Sequence, residues 1–179
     1  MRPLAASFFN RPTLRVAREL VGCHLTVRRH GRIRRFLITE TEAYDGLEDL
    51  ASHAARGPTP RNEIMFRRAG HVYVYFIYGM HWMLNFVTGP AGYPAAVLIR
   101  GARALDGTED HDGPAKLTKA LGITGTLNGR TLSRATGVWV ELPPVGAPKP
   151  RVKSTPRIGV AYAGPVWSQK PYRFLLSSD

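Results

Sequence analysis

The pattern of apolar and polar positions predicts a chain built mainly of short β-strands. Runs rich in Val, Ile, Leu, Phe and Tyr without Gly or Pro are typical of strands, and long apolar runs are typical of buried ones. The predicted strands cover residues 24–29, 36–44, 72–78, 82–88 and 96–100, with shorter ones near 139–140 and 158–160. A basic turn at His30 and Gly31 would join the first two strands into a hairpin.

Helical patterns are fewer and shorter. An apolar stripe with helical spacing follows Asn10, a typical capping residue, and stops at Gly22. Shorter helical segments are expected at 48–53, 62–66 and 115–121, and a surface loop at 102–113. Together these elements predict an α+β fold: a single domain over residues 1–179, with a mixed, mostly antiparallel β-sheet and short peripheral helices.

The composition is that of a globular chain. Of the 179 residues, 44% are hydrophobic, but no apolar run approaches the roughly 18 residues of a transmembrane helix. The first residues also lack the apolar stretch of a secretory signal. One cysteine, Cys23, excludes an internal disulfide and fits a reducing compartment. We therefore expect a soluble, intracellular monomer with no membrane contact, cytoplasmic or nucleoid-associated if the protein is bacterial.

Positive charge is concentrated towards the two ends of the chain. The formal net charge is +12, made of +8 over residues 1–35, −4 over 36–113 and +8 over 114–179. Basic flanks around a locally acidic centre suit a polyanion that is gripped on both sides of a carboxylate-bearing site. Basic ribosomal-type proteins share such a net charge, so charge alone does not decide the function.

Two acidic side chains lie in a strand where a simple core would have none. Alternation predicts that Ile38, Glu40, Glu42 and Tyr44 project from one face of this strand. Local conflicts with a hydrophobic pattern tend to fall at functional sites. The alternative is that both carboxylates are solvated or paired with nearby arginines.

A later strand carries three tyrosines. By alternation Tyr73 and Tyr75 share a face, while Tyr78, just before Gly79, points the other way. Asn85 is the only amide in the returning strand, and a buried phenol or amide needs a hydrogen-bond partner. The alternative is ordinary core packing, with the hydroxyl groups reaching the rim.

Several common kinds of site have no motif in this sequence. It contains no Walker-type phosphate loop, no dinucleotide fingerprint, no His-Glu-x-x-His and no Gly-x-Ser-x-Gly. With one cysteine and no metal-ligand spacing among six histidines, we expect neither a metal nor a cofactor. His53, in a loop, suits stacking against a base or hydrogen bonding to it better than metal ligation.

These parts suit an enzyme that acts on one base of duplex DNA. Such an enzyme rotates the nucleotide out of the stack, holds the base between aromatic faces and fills the gap. A carboxylate such as Glu42 can stabilise the oxocarbenium-like state formed when the bond to C1′ breaks, and can deprotonate the attacking water. One alternative is a non-catalytic nucleic-acid binder, which leaves the carboxylates unexplained. Another is a glycosidase of free sugars, for which the basic flanks would be unusual.

Seven segments carry a more specific pattern, in order along nearly the whole chain from about residue 14 to 174. They are 42–44, 48–53, 59–62, 73–80, 97–100, 113–117 and 157–164. Together they resemble the alkyladenine (3-methyladenine) DNA glycosylase family. The resemblance implies a monofunctional, metal-free enzyme of base excision repair that removes damaged purines from double-stranded DNA and leaves an abasic site. The implied substrates are 3-methyladenine, 7-methylguanine, hypoxanthine and ethenoadenine.

The resemblance also implies roles for single residues. Glu42 matches the water-activating general base, and Arg100 matches an arginine that positions the water. Tyr44, His53 and Tyr75 match the residues that enclose the flipped base, and the backbone N–H of His53 matches a donor to the purine's six-position.

Two further positions match the family, and one acidic residue does not. Asn85 matches an amide of the pocket wall that disfavours guanine, and Tyr78 matches the ring wedged into the gap in the duplex. Glu40 matches no known role, and we hypothesise that it pairs with an arginine or sits at the end of the sheet.

Overall fold

An antiparallel β-sheet organises residues 2–177, the part of the chain that the computed structural model describes. Its strands are β1 (His24–Arg29), β2 (Arg32–Asp45), β3 (Val72–Ile77), β4 (His81–Val87), β5 (Ala95–Ala104), β6 (Asp110–Asp112), β7 (Val138–Glu141), β8 (Val152–Thr155) and β9 (Arg173–Leu176). The main order is β3-β4-β5-β2-β1-β7; in addition, β6 pairs with β5, and β9 pairs with β2 and β8. The pairings between these strands are antiparallel.

Short helices surround the sheet. They are α1 (Ala6–Phe9), α2 (Thr13–Leu20), α3 (Pro114–Leu121) and α4 (Gly164–Gln169), with 3₁₀ turns at His53–Arg56, Glu63–Phe66, Gly125–Leu127 and Ala161–Ala163. Helix α2 contacts β2 and β5, α3 contacts β4 and β5, and both contribute buried side chains to the main core. The predicted α+β fold with a mostly antiparallel sheet is confirmed.

Near the N-terminus and after β2, two predicted helix positions were wrong. Asn10 does not cap α2, because it ends α1 by donating its backbone N–H to the carbonyl of Ala6. The helical turn expected at 48–53 is instead a turn around Asp49, whose carboxylate accepts local backbone N–H groups. The 3₁₀ helix begins only at His53. The helix predicted at 115–121 is confirmed as α3.

Other differences concern the sheet. The expected loop at 102–113 is partly strand, because β5 continues to Ala104 and pairs there with β6. Arg100 therefore lies inside β5 and not at its end. No strand forms at 158–160, where the backbone N–H of Ile158 donates to the side chain of Glu42. Elements α1, α4, β8 and β9 were not predicted, since each has only four to six residues and too little periodicity to detect.

Strand β2 holds the functional part of the sheet together. Its first half pairs with β1 and its second half with β9, while β5 runs along its other edge. Two register shifts against β5 flank Glu40, and such a β-bulge changes which residues face the core. Ile38 before the bulge and Ala43 after it both belong to the main core. The prediction that Ile38 shares a face with Glu42 was therefore wrong.

A buried ion pair joins the loop after β2 to the C-terminal part of the chain. Arg157 donates from Nη1 and Nη2 to the two carboxylate oxygens of Asp49, at 2.6 and 2.8 Å. Neither side chain is exposed. Arg157 Nη1 also donates to the carbonyl of Ala43 in β2, at 2.8 Å. The bidentate geometry fixes three segments of the chain relative to one another.

The Asp49→Asn variant should be strongly destabilised, because it leaves the charge of Arg157 buried without a counter-ion. We expect a loss of about 3–5 kcal/mol in the free energy of unfolding, measured by denaturant titration. The control is Asp112→Asn, which removes a fully exposed partner of Lys116 and should leave the unfolding midpoint unchanged. Equal midpoints for the two variants would contradict this account of the pair.

Candidate active site

An open cavity lies among β2, β3, β4 and the loop that follows β2. Its empty volume is about 330 Å³, including the space at its mouth. Its wall contains four residues singled out from the sequence: Tyr44, His53, Tyr75 and Asn85. It also contains Ala51, Met65, Tyr73, Ala96 and Tyr162. Four tyrosines, a histidine and an amide thus converge on one open space.

Three rings on one side of the cavity hold one another in place. The ring centroids of His53 and Tyr75 lie 4.5 Å apart at 74°, an edge-to-face contact. His53 Nδ1 lies 3.0 Å from the hydroxyl of Tyr73, which is itself buried in the sheet. Burial lowers the pKa of His53, and the charge of Arg61 lowers it further. The neutral imidazole is therefore the form that this wall favours.

Two asparagines fix polar parts of the wall. Asn85 is buried and donates from Nδ2 to the carbonyls of Tyr73 and Met83, at 3.2 and 3.3 Å. Asn62 Nδ2 donates to the carbonyl of His53 at 2.8 Å, which anchors the 3₁₀ turn that begins there. The amide of Asn85 and the backbone of His53 are thus held by hydrogen bonds to the main chain.

Glu42 lies behind the cavity wall with no exposed surface. Its Oε2 accepts from the hydroxyl of Tyr44 at 2.8 Å, and its Oε1 accepts from the backbone N–H of Ile158 at 2.8 Å. The Nε of Arg100 lies 3.5 Å from the same Oε1. Burial raises the pKa of Glu42, while Arg100, Ile158 and Tyr44 each act against that rise. Because Tyr44 lines the cavity, its hydroxyl links the carboxylate to that space.

Tyr44 is held from a second direction. The guanidinium carbon of Arg157 lies 4.8 Å from the centroid of its ring, a cation–π contact, and Arg157 is not part of the cavity wall. Burial and the nearby Glu42 carboxylate keep the pKa of Tyr44 well above its ordinary value. The phenol therefore stays neutral and donates a hydrogen bond to Glu42.

Tyr78 lies outside the cavity, at the tip of the β3–β4 hairpin. Its side chain is 86% exposed, in agreement with the predicted change of direction after Tyr75. Its φ is +51° and that of Gly79 is +66°. A positive φ is uncommon for a residue other than glycine, and such strain clusters at functional positions. The neighbouring Met80 is 66% exposed, so the tip presents apolar surface to solvent.

Sequence reasoning missed parts of the site. Tyr73 was recognised as a neighbour of Tyr75 on one strand face but was not assigned to the wall. Tyr162 lines the cavity and donates from its hydroxyl to the carbonyl of Ala51 at 2.9 Å. It lies far from the other wall residues in the chain, so no spacing in the sequence links it to them. The alternative that Glu40 pairs with an arginine is confirmed, since its Oε1 accepts from Arg100 at 2.8 Å.

Within residues 2–177, no group of three or more His, Cys, Asp or Glu side chains is arranged to hold a metal ion, and no helix is long and apolar enough to span a membrane.

Comparisons with known proteins give the family. A sequence model of the methylpurine-DNA glycosylase family matches residues 7–179.

Several relatives carry the name "Putative 3-methyladenine DNA glycosylase". The one from Myxococcus xanthus (strain DK1622) is 48% identical over 176 residues, which covers 97% of this chain and 89% of the relative. The one from Anaeromyxobacter sp. (strain Fw109-5) is 44% identical over 179 residues, covering 98% and 90%. The one from Methanocella arvoryzae is 44% identical over 190 residues, covering 97% and 92%. The chain belongs to the methylpurine-DNA glycosylase family.

Proposed function

We propose that this protein flips damaged purines out of duplex DNA into the aromatic cavity and hydrolyses their N-glycosidic bond, leaving an abasic site. The substrate class comprises alkylated and deaminated purines: 3-methyladenine, 7-methylguanine, hypoxanthine and ethenoadenine. The observation that carries the proposal is the hydrogen bond between Glu42 and Tyr44, which joins a buried carboxylate to the wall of a cavity lined by aromatic side chains.

The wall suits a flat, electron-poor ring. A base inside a duplex is out of reach, so it must leave the stack before its glycosidic bond can be attacked. Tyr44, His53 and Tyr75 offer aromatic surfaces, and an alkylated purine that carries positive charge gains from electron-rich faces. The backbone N–H of His53 starts a 3₁₀ turn and has no acceptor among residues 2–177, so it is available to the purine's six-position. Asn85, fixed to the backbone, disfavours the amino group of guanine by its bulk.

Glu42 acts as the general base in this proposal. A carboxylate offers about four acceptor sites. Two of those on Glu42 are taken by the hydroxyl of Tyr44 and the N–H of Ile158, while the Nε of Arg100, 3.5 Å away, donates to Glu40 instead. On this proposal, a remaining acceptor site is assigned to the attacking water molecule. That water attacks C1′ of the sugar, its proton passes to Glu42, and the purine leaves with the electron pair of the broken bond. Arg100 helps to position the water.

The DNA is bound by basic residues and by the β3–β4 hairpin. The basic flanks of the sequence, +8 at each end, supply phosphate contacts. Tyr78, exposed at the hairpin tip, fills the gap that the flipped nucleotide leaves in the stack. A monomer acting on double-stranded DNA inside the cell, without metal or cofactor, completes the proposal.

The Glu42→Gln variant should bind lesion DNA and lose excision. Removal of a general base costs roughly 100-fold or more in rate. The assay follows a labelled duplex with one hypoxanthine or one ethenoadenine, with and without chelator, and then adds alkali to cut abasic sites. We expect the wild-type product only after alkali and in equal amounts with chelator. Near-normal excision by Glu42→Gln would contradict the proposal, and binding without product from the wild-type protein on any lesion would favour a non-catalytic binder.

The pH profile of excision provides a second readout of the same residue. Because the base must be ionised and burial raises the pKa of Glu42, the rate should rise with pH through a midpoint above the ordinary carboxyl range.

The Tyr78→Ala variant should hold fewer nucleotides in the flipped state. Loss of one aromatic–base stack weakens binding to lesion DNA by roughly tenfold, which ethenoadenine fluorescence can follow in a titration. Since Tyr78 is mostly exposed, thermal stability should stay close to that of the wild type. The control is Val145→Ala, which shortens a fully exposed side chain elsewhere. Equal affinities of Tyr78→Ala and the control would show that Tyr78 is not the wedge.

A further inference from the structure

Arg100 lies between the carboxylates of Glu40 and Glu42, and it is closer to Glu40, to which the family resemblance assigns no role. Its Nε lies 2.8 Å from Oε1 of Glu40 but 3.5 Å from Oε1 of Glu42. Glu40 and Arg100 are mostly buried, with about one seventh of each side chain exposed. Their interaction is therefore screened less by solvent than that of a surface pair.

A second arginine completes a row of alternating charges. Arg173 in β9 donates from Nε to the same Oε1 of Glu40 at 2.5 Å. In the sheet, β9 lies beside β2, with Arg173 opposite Glu42 and Leu175 opposite Glu40. The order Arg173, Glu40, Arg100, Glu42 thus alternates positive and negative and ends at the buried carboxylate.

The bulge in β2 places Glu40 in this row. Glu40 pairs with Gly101 of β5 at the register shift. A Cβ atom at Gly101 would lie 2.9 Å from Oγ1 of Thr39 and 3.2 Å from Cβ of Glu40. Because any larger residue would push the bulge away, the glycine permits this close approach of β5 to Glu40.

We propose that Glu40 and Arg173 are positioning residues that hold Arg100 away from Glu42 and thereby keep Glu42 competent as the base. A guanidinium that moved closer to Glu42 than the present 3.5 Å would crowd the position that the water needs and would make the carboxylate a weaker base. Glu40 prevents this approach by taking the Nε–H of Arg100, and Arg173 fixes Glu40 and offsets its charge. The inference rests on the proposed function of Glu42.

The charged and titratable groups around Glu42 decide in which direction each substitution moves the pKa of Glu42. Several charged or titratable side chains act on it: Arg100 of β5, Glu40 and Tyr44 of β2, Tyr75 of β3, and Arg157 and Tyr162 of the C-terminal part. The positive charge of Arg100 favours the ionised form of Glu42, and the negative charge of Glu40 disfavours it. Arg173 acts on Glu42 through Glu40, by fixing and neutralising it.

The two positioning residues should therefore shift the pH profile in opposite directions. In Glu40→Gln a negative charge is lost and Arg100 is free to approach Glu42, so the pKa of Glu42 falls. The acidic midpoint of the excision rate should move down by about 0.5 pH unit or more, with a lower plateau. In Arg173→Gln, Glu40 loses one of its two counter-ions and retains Arg100, so the midpoint should move up. Loss of packing alone would lower the rate in both variants without opposite shifts.

The experiment measures single-turnover excision of hypoxanthine from a duplex across pH for the wild type and each variant. Arg173→Lys keeps the charge and should return the midpoint towards the wild type. Lys153→Gln removes an exposed positive charge on β8, beside β9, and should leave the midpoint unchanged. If Lys153→Gln moves the midpoint as Arg173→Gln does, general charge is the cause and the inference fails.

The remaining outcomes separate this inference from the proposed function. Unmoved midpoints in Glu40→Gln and Arg173→Gln, with Glu42→Gln inactive, would overturn the positioning role and leave the base in place. Excision by Glu42→Gln would instead remove the proposed function. If Arg173→Gln does not fold, Glu40→Gln decides alone: a downward shift supports the inference, and no shift or an upward one overturns it.

Discussion

The burial of Glu42 is the constraint on which the surrounding structure depends. An ionised carboxylate without exposed surface costs several kcal/mol unless donors replace the water it has lost. The compensation comes from three separate parts of the chain: the hydroxyl of Tyr44 in β2 and the backbone N–H of Ile158 near the C-terminus donate hydrogen bonds, and the positive charge of Arg100 in β5 lies 3.5 Å away. The sheet and the C-terminal segment must therefore meet at one point for this side chain to be tolerated.

The ion pair between Asp49 and Arg157 makes that meeting point rigid. Arg157 directly precedes Ile158, and it donates to the carbonyl of Ala43, the residue between Glu42 and Tyr44. One guanidinium thus fixes the backbone on both sides of the hydrogen bonds to Glu42. It also packs against the ring of Tyr44. Since these contacts belong to one network, the stability of the C-terminal segment and the geometry of the site are not independent.

Local patterns in the sequence predicted six of the nine strands of residues 2–177, and the family resemblance pointed to four residues that line the cavity, but neither predicted the arrangement around Glu42. Alternation predicted that Tyr75 and Tyr78 point to opposite sides, but Tyr78 lies beyond the end of β3, and its exposed position follows from a turn with positive φ. The same reasoning failed for Ile38 because the bulge at Glu40 reverses the alternation, and a bulge depends on the partner strand. Arg173 was missed because β9 has four residues and its contact with Glu40 spans 133 positions. Contacts between distant segments leave no periodic signal in a single sequence.

The hairpin tip shows a conflict between stability and function. At Tyr78 the backbone adopts a positive φ, which glycine or asparagine would accept at lower cost, and the ring is exposed to water. Neither feature stabilises the free protein. A side chain of this kind gains free energy only when another surface covers it, and the face of an unstacked base pair is flat and apolar. On the proposed function, the strain at the tip is offset only on DNA, where the backbone geometry aims the ring into the duplex while Tyr75 stays with the cavity. The strand before the tip can remain regular and stable, because a single residue carries the whole change of direction.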